Sequence, residues 1–131
     1  MAPVHDTAEI EAIMATLGGR SDAGAIFPVD PFTYLHHKFI VAQAARHRLP
    51  AIYGFREFAA DGALITYGAD QADVHRKAAM YVDRILRGEK PRDLPVQQPT
   101  NFELIINLKT AGALGLDVPP ILLSIANEVI E

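Results

Sequence analysis

Short strand-like segments alternate with amphipathic helical patterns along the whole chain, and this alternation limits the folds that it can adopt. The strand-like segments are apolar and bounded by turn residues, and they lie at 23–27, 51–53, 63–67 and 102–108. Such alternation builds βαβ crossovers, with helices on both faces of a mainly parallel sheet. A length of 131 residues suits one domain with its own core. The sequence therefore predicts an α/β fold, a three-layer sandwich with a mainly parallel sheet.

Aspartate residues mark the starts of the three longest predicted helices. Asp6 or Thr7 caps the first helix, whose apolar residues recur at helical spacing. Asp30, followed by a proline at the first helical position, opens a helix that runs to about His47. Asp70 opens the third, and an apolar face is predicted along it. That face comprises Val74, Ala78, Val82, Ile85 and Leu86.

The last third of the chain begins with a change of composition. Residues 89–99 contain three prolines and four charges, which predicts an extended crossing or linker. A helix is predicted at 109–114, after the strand at 102–108. Pro119 and Pro120 are predicted to start a final helix that continues through Ile130.

Charge and composition exclude several classes of partner. A net charge of −4 argues against a nucleic-acid or anionic-membrane partner. Cysteine is absent, which excludes disulfides and thiolate catalysis. No window approaches the roughly 18 uninterrupted apolar residues of a membrane span.

Catalytic and metal-binding motifs are not found. Adjacent His36 and His37 diverge around a helix, and neither has a second histidine four residues later. No nucleophile elbow or phosphate-binding glycine loop occurs. Glu57 and Asp61 are four apart on a short predicted helix, where they form either a tuned acid–base pair or a solvated helix face. The sequence therefore predicts no enzyme, no metal site and no cofactor.

Candidate ligand contacts come from the ends of the predicted strands, because parallel sheets bind ligands outside their carboxyl edges. Five residues are singled out there: Asp30, Tyr53, Phe55, Tyr67 and Asp70. Aromatic rings at such positions stack on a solute, and carboxylates bind an amine. The alternatives are that Tyr53 and Phe55 belong to the core and that Asp30 and Asp70 only cap helices.

Three long segments carry a family resemblance. They are RHRLPAIYGFREFAADGALITYGAD at 46–70, YVDRILRGEKPRDLPVQQPTNFELIINLKTAGALGL at 81–116 and VPPILLSIANEVIE at 118–131. In these segments the chain resembles ABC-transporter substrate-binding proteins of the ABC_sub_bind type. The resemblance implies part of a two-lobed, type I periplasmic-binding fold. It also implies a non-enzymatic receptor that delivers a small molecule, in some cases an aromatic amino acid, to an ABC permease.

The resemblance further implies an incomplete cleft, because this chain corresponds to the second half of such a protein. Residues 1–60 and 102–131 would belong to the second lobe, and about 64–99 would extend toward a missing or partner lobe. The apolar helix face would then lack its cover, which predicts a homodimer. The alternative function is a stand-alone oligomerisation or regulatory domain without a transport role.

The expected location depends on whether this chain is the whole product. The family resemblance implies the periplasm. The first six residues lack a basic segment followed by an apolar one, so no signal peptide is recognised in the sequence as it stands. The sequence therefore predicts a cytoplasmic protein if this is the complete product.

Overall fold

Five strands form one sheet in the order β1-β2-β3-β4-β5 in this computed structural model, which describes residues 4–131. The strands are β1 (Ala25–Phe27), β2 (Ala51–Tyr53), β3 (Ile65–Ala69), β4 (Phe102–Asn107) and β5 (Glu128–Ile130). The helices are α1 (Thr7–Gly18), α2 (Pro31–Leu35), α3 (His37–Arg46), α4 (Glu57–Ala60), α5 (Gln71–Leu86), α6 (Leu108–Leu114) and α7 (Pro120–Ile125).

The sheet is mainly parallel, with one reversal. β1, β2 and β3 run parallel, β4 is antiparallel to β3, and β5 is parallel to β4. The reversal arises because the chain leaves the sheet at the end of β3 and returns beside that same end, where β4 begins. There the Asp70 amide donates to the Asn101 carbonyl at 3.0 Å. The predicted α/β class, with helices flanking a mostly parallel sheet, is confirmed.

The aspartate caps have the predicted geometry. The Asp6 Oδ1 atom accepts from the Glu9 amide at 2.8 Å and starts α1. Asp30 accepts from two amides at the start of α2, and Asp70 accepts from the Asp73 amide at the start of α5. Each carboxylate pairs with amide groups that have no partner within the helix, which is why short sequence patterns locate these starts correctly.

Two predicted helices differ from the structure. The helix predicted from Asp30 to His47 is divided at His36, whose backbone lies outside the helical region at φ −104° and ψ 18°. The final helix ends at Ile125 rather than at Ile130, and the chain then forms β5. Asn127 directs this change, because its amide donates to Leu104 and its side-chain oxygen accepts from Leu104, both at 2.8 Å.

One face of the sheet carries the main core. Tyr53 is only 2% exposed there, and its ring stacks between Phe27 at 5.2 Å and Phe58 at 4.8 Å. Apolar side chains from α1, α3 and α4 complete this cluster, and burying each large one contributes about 1.5–3 kcal/mol. Its buried members are Ile10, Met14, Ile40, Val41, Ala44, Leu49, Ala51, Tyr53, Phe58 and Ala63.

The opposite face carries an aliphatic row whose cover is uneven. Ile26, Ile52 and Ile65 are in register across β1–β3, and the row continues through Ile106 and Val129. Ile106 is fully buried, whereas Ile26 is 77% exposed. The sheet is therefore well covered at β4 and open at β1.

α5 and the returning segment form an arm outside the sheet, which we call the arm (70–101). Tyr81 donates to the Pro95 carbonyl at 2.6 Å, and Lys77 donates to the Thr100 hydroxyl at 3.0 Å. Of the residues 64–99 expected to extend toward another lobe, those of β3 pair within this sheet. Within residues 4–131, no helix has the length and apolarity needed to cross a bilayer.

Two glycines allow neighbouring strand ends to approach closely, Gly68 between β3 and the end of β2 and Gly54 between the ends of β2 and β1. A Cβ atom on Gly68 would overlap the backbone carbonyl of Gly54, and a Cβ on Gly54 would overlap Val29. The atoms next to Gly68 belong to Gly54, the residue that follows β2. Neither position has room for a side chain unless the backbone moves.

We predict that Gly68→Ala lowers the free energy of unfolding by about 1–3 kcal/mol, as expected for overpacking against backbone atoms. Gly112→Ala is the matched control, because a Cβ there meets no atom of the described residues 4–131 within 4 Å. Gly112 lies inside a helix, so its replacement is expected to be neutral or stabilising by up to about 1 kcal/mol. Urea unfolding measures both variants, and equal effects would contradict the close approach of the two strands.

Candidate functional site

The carboxyl ends of β1, β2 and β3 meet the amino ends of β4 and β5 along one edge of the sheet. We call this the carboxyl edge, and it comprises residues 28–30, 54–57, 69–70, 101–103 and 127–128. Open α/β sheets bind ligands outside this edge, where the loops between strands and helices converge. The carboxyl edge is therefore the candidate site.

An aromatic wall stands at the β1–β2 end of the carboxyl edge. Phe55, just after β2, meets Tyr34 of α2 edge to face, with ring centroids 5.0 Å apart. Phe58 stacks behind Phe55 at 6.5 Å, and the His37 ring lies 5.9 Å from Tyr34. Tyr34 is 45% exposed, whereas Phe58 is buried. The wall thus offers one half-buried and one exposed ring on a packed aromatic base.

A charged cluster lies beside that wall. The Arg56 guanidinium donates through Nη1 to both carboxylate oxygens of Glu103, at 3.0 and 3.1 Å. Its Nη2 atom donates to Glu128 at 3.1 Å. One cation and two carboxylates from three different strand ends are therefore gathered at the edge. The cluster can contact both signs of charge on a small molecule.

Asp30 lies at the carboxyl end of β1, but its carboxylate is already occupied. Oδ1 accepts from the Phe32 and Thr33 amides at 2.8 and 3.0 Å, and Oδ2 accepts from the Thr33 hydroxyl at 2.8 Å. Burial raises the pKa of Asp30, but these hydrogen bonds outweigh it and leave the pKa below its usual value. In this structure the carboxylate serves as a helix cap.

Tyr53 and Phe55 are two residues apart at the end of β2, but only one of their rings lies at the carboxyl edge. Tyr53 is buried between two other rings, and burial raises the pKa of its phenol well above the ordinary value. Phe55 lies past the end of β2 and faces Tyr34. Of these two predicted contacts, the structure places Phe55 at the site and Tyr53 in the core beneath it.

The remaining two candidates lie at the β3 end. Tyr67 stacks on Phe102 with ring centroids 5.7 Å apart, and both rings are about half exposed on the sheet face that carries the aliphatic row. Asp70 caps α5 and joins the arm to the sheet. The structure therefore separates the five candidates into a β1–β2 group and a β3 group rather than one cluster.

The predicted acid–base alternative is not assembled. The Asp61 carboxylate pairs with the Nδ1 atom of His37, at the base of the aromatic wall. Glu57 turns one carboxylate oxygen into the protein, where no hydrogen-bond partner is found for it among residues 4–131. Within residues 4–131, no group of three or more metal-ligating side chains is found.

Sequence patterns do not indicate three residues of the site, Tyr34, Glu103 and Glu128, and they do not indicate that Arg56, which follows β2, meets the two glutamates. Tyr34 belongs to the helix after β1, and only its 45% exposure in the fold identifies it as part of the wall. Arg56, Glu103 and Glu128 are far apart in the chain. Their meeting depends on the reversed register of β4, for which the sequence offers no local signal.

Comparisons with known proteins identify a family. A family model described as "ABC transporter substrate binding protein" matches residues 1–130. No curated protein sequence matches this chain.

Three solved structures share the fold. A conserved domain protein from Vibrio cholerae superposes with a TM-score of 0.85 at 23% identity, covering 98% of this chain and 43% of that one. An ABC domain from Streptococcus pneumoniae in complex with L-Trp gives 0.82 at 26% identity, covering 97% and 44%. A ligand-free, open substrate-binding protein with adhesive properties from Clostridium difficile gives 0.65 at 21%, covering 98% and 42%. This chain thus spans less than half the length of each.

We predict that Asp30→Ala lowers the free energy of unfolding by about 0.5–2 kcal/mol at neutral pH, because the amides at the start of α2 lose their cap. The folded-state pKa of Asp30 is lowered. The charge-dependent part of this contribution is therefore present above about pH 3.9, the pKa of a free aspartate, and is lost as pH falls through the folded-state pKa.

Asp30→Asn is the matched control, because asparagine caps helices almost as well but does not titrate. Urea unfolding between neutral and acidic pH measures all three proteins. A difference between Asp30→Ala and wild type that is the same at every pH would contradict the ionised cap.

Proposed function

Since this chain belongs to the ABC transporter substrate-binding protein family, we propose that its carboxyl edge forms one wall of a cleft that binds a small-molecule solute. The proposed solute is a free α-amino acid with an aromatic or branched side chain. The proposed protein is a non-enzymatic receptor of an ABC importer, with the permease as its partner and the periplasm as its location.

The single observation that carries this proposal is the aromatic wall beside a charged cluster at the carboxyl edge. Tyr34 and Phe55 supply an apolar surface on which a flat or branched side chain can lie. Phe58 and His37 support them from behind, so the wall is held in place before a solute arrives. A preorganised surface of this kind reduces the ordering cost of binding.

The charged cluster suits the other end of an amino acid. The Arg56 guanidinium is about half exposed and can donate to a carboxylate. Glu103 and Glu128 can accept from an ammonium group. The ammonium and carboxylate groups of a zwitterionic amino acid would therefore both find complementary charges within one cluster. The L-Trp named for the Streptococcus pneumoniae structure is a solute of this class.

One wall alone is expected to bind weakly. Ligand sites that bind tightly enclose most of their ligand, whereas this edge covers one side of it. Each of the three solved structures has a chain more than twice as long, since this chain covers 42–44% of it. The proposed receptor therefore needs a second wall from additional protein, and the aromatic and charged groups described above would form its first wall.

We predict that L-Trp binds the isolated chain with a dissociation constant of ~1 mM or weaker. Titration followed by NMR should shift the resonances of Tyr34, Phe55 and Arg56, while those of Leu49 and Ala51 at the opposite end of β2 stay unchanged. N-acetyl-L-tryptophanamide, which keeps the ring but lacks both charges, should cause smaller shifts at Arg56. Perturbation spread evenly over the surface would overturn the proposed site.

Phe55→Ala should abolish the localised shifts, because it removes the centre of the wall. Leu116→Ala is the control, since Leu116 is an exposed apolar residue outside the carboxyl edge. A thermal-shift assay that shows several kcal/mol of stabilisation by micromolar amino acid would contradict the single-wall proposal. Stabilisation of that size requires a site that is already complete.

A further inference from the structure

Four rings form a closed circuit at the aromatic wall. Tyr34 meets Phe55 with ring centroids 5.0 Å apart, and Phe55 stacks on Phe58 at 6.5 Å. The His37 ring completes the circuit, at 5.7 Å from Phe58 and 5.9 Å from Tyr34. Two of these rings come from α2 and the start of α3, and the other two come from the segment that leads from β2 into α4. The position of Tyr34 relative to Phe55 therefore depends on how the first segment is held against the second.

A polar contact ties these two segments together. His37 is the first residue of α3, and its Nδ1 atom pairs with the Asp61 carboxylate just after α4. The two side chains are 25% and 20% exposed, so solvent and salt screen this pair less than a surface ion pair. The Asp61 amide donates to the Phe58 carbonyl at 3.1 Å, which keeps the carboxylate close to the buried ring. The pair therefore links α3 to the backbone that carries Phe58.

A bend in the chain lies next to this pair. α2 ends at Leu35 and α3 begins at His37, and His36 between them has φ −104° and ψ 18°, outside the helical region. Tyr34 belongs to the last turn of α2, on the other side of the bend from His37. The direction in which α2 leaves α3 therefore sets the position of the Tyr34 ring, and the pair with Asp61 fixes the residue from which α2 leaves.

Protonation of His37 strengthens the link between the two segments. The Nδ1–H group donates to the Asp61 carboxylate in both protonation states, but only the imidazolium adds an opposite charge. Glu57, four residues before Asp61, places a second carboxylate on the same side of α4. The other titratable group in contact with the imidazole is the Tyr34 phenol, whose ring lies within the roughly 6 Å over which a cation is attracted to an aromatic face. Lys38, the next residue of α3, is exposed to solvent.

We propose that His37 is a positioning residue of the aromatic wall, and that its protonation strengthens solute binding through the pair with Asp61. Histidine is the side chain that ordinarily changes its charge near neutral pH, so the wall is held more firmly at mildly acidic pH than above neutral. A wall that is ordered before the solute arrives lowers the ordering cost of binding. This inference rests on the proposed function, because it concerns the same wall.

The dissociation constant of L-Trp at about pH 5.5 and about pH 7.5, measured by NMR titration of the whole chain, tests the proposal. L-Trp is a zwitterion at both pH values, so its own charge does not change. Wild type should bind about threefold more tightly at the lower pH, a ratio typical of one incompletely buried ion pair. Equal affinities of wild type at the two pH values would overturn the proposal without any substitution.

Variants identify the residue that titrates. Asp61→Asn keeps a hydrogen-bond acceptor but not the charge, and His37→Gln does not titrate, so both should bind with the weaker affinity at either pH. His36→Gln is the matched control: the His36 ring lies on Phe32 at 4.7 Å, and its replacement should keep the pH dependence. Circular dichroism checks that each variant is folded. An Asp61→Asn variant that keeps the full pH dependence would overturn the proposal.

A measurement without solute separates this inference from the proposed function. The nuclear Overhauser effect between the Tyr34 and Phe55 rings should be stronger at about pH 5.5 than at about pH 7.5 in wild type. In Asp61→Asn it should be the same at both. L-Trp that perturbs the wall at neither pH would overturn the proposed function, and the Overhauser effect would still report whether His37 positions the wall. An effect in wild type that does not change with pH would overturn the positioning role.

Discussion

The return of the chain to the edge from which it left is the constraint on which the rest of the structure depends. The Asp70 amide and the Asn101 carbonyl close the arm at its base, so β4 must start where β3 ends. β4 therefore runs antiparallel to β3, and β5, which is parallel to β4, starts at the same edge. The ends of three strands and the beginnings of two others are thereby brought together at the carboxyl edge.

That reversal supplies the charged half of the candidate site. In an all-parallel sheet only the residues after the strands would reach this edge, whereas here the first residues of β4 and β5 reach it too. Glu103 and Glu128 are such residues, and they meet Arg56 from the end of β2. Exposed ion pairs contribute at most about 1 kcal/mol each to stability. Their placement at the candidate site therefore matters more for the proposed recognition of a solute than for the fold.

Sequence patterns predict the parts of this fold that depend on neighbours along the chain. Asp6, Asp30 and Asp70 start helices because a carboxylate pairs with amides two or three residues later. β5 was missed because Asn127 is held by Leu104, which a local pattern cannot contain. Tyr53 and Phe55 were equivalent candidates in the sequence, yet only the packing of Phe27 and Phe58 makes Tyr53 a core residue. The Arg56 cluster was missed for the same reason as β5.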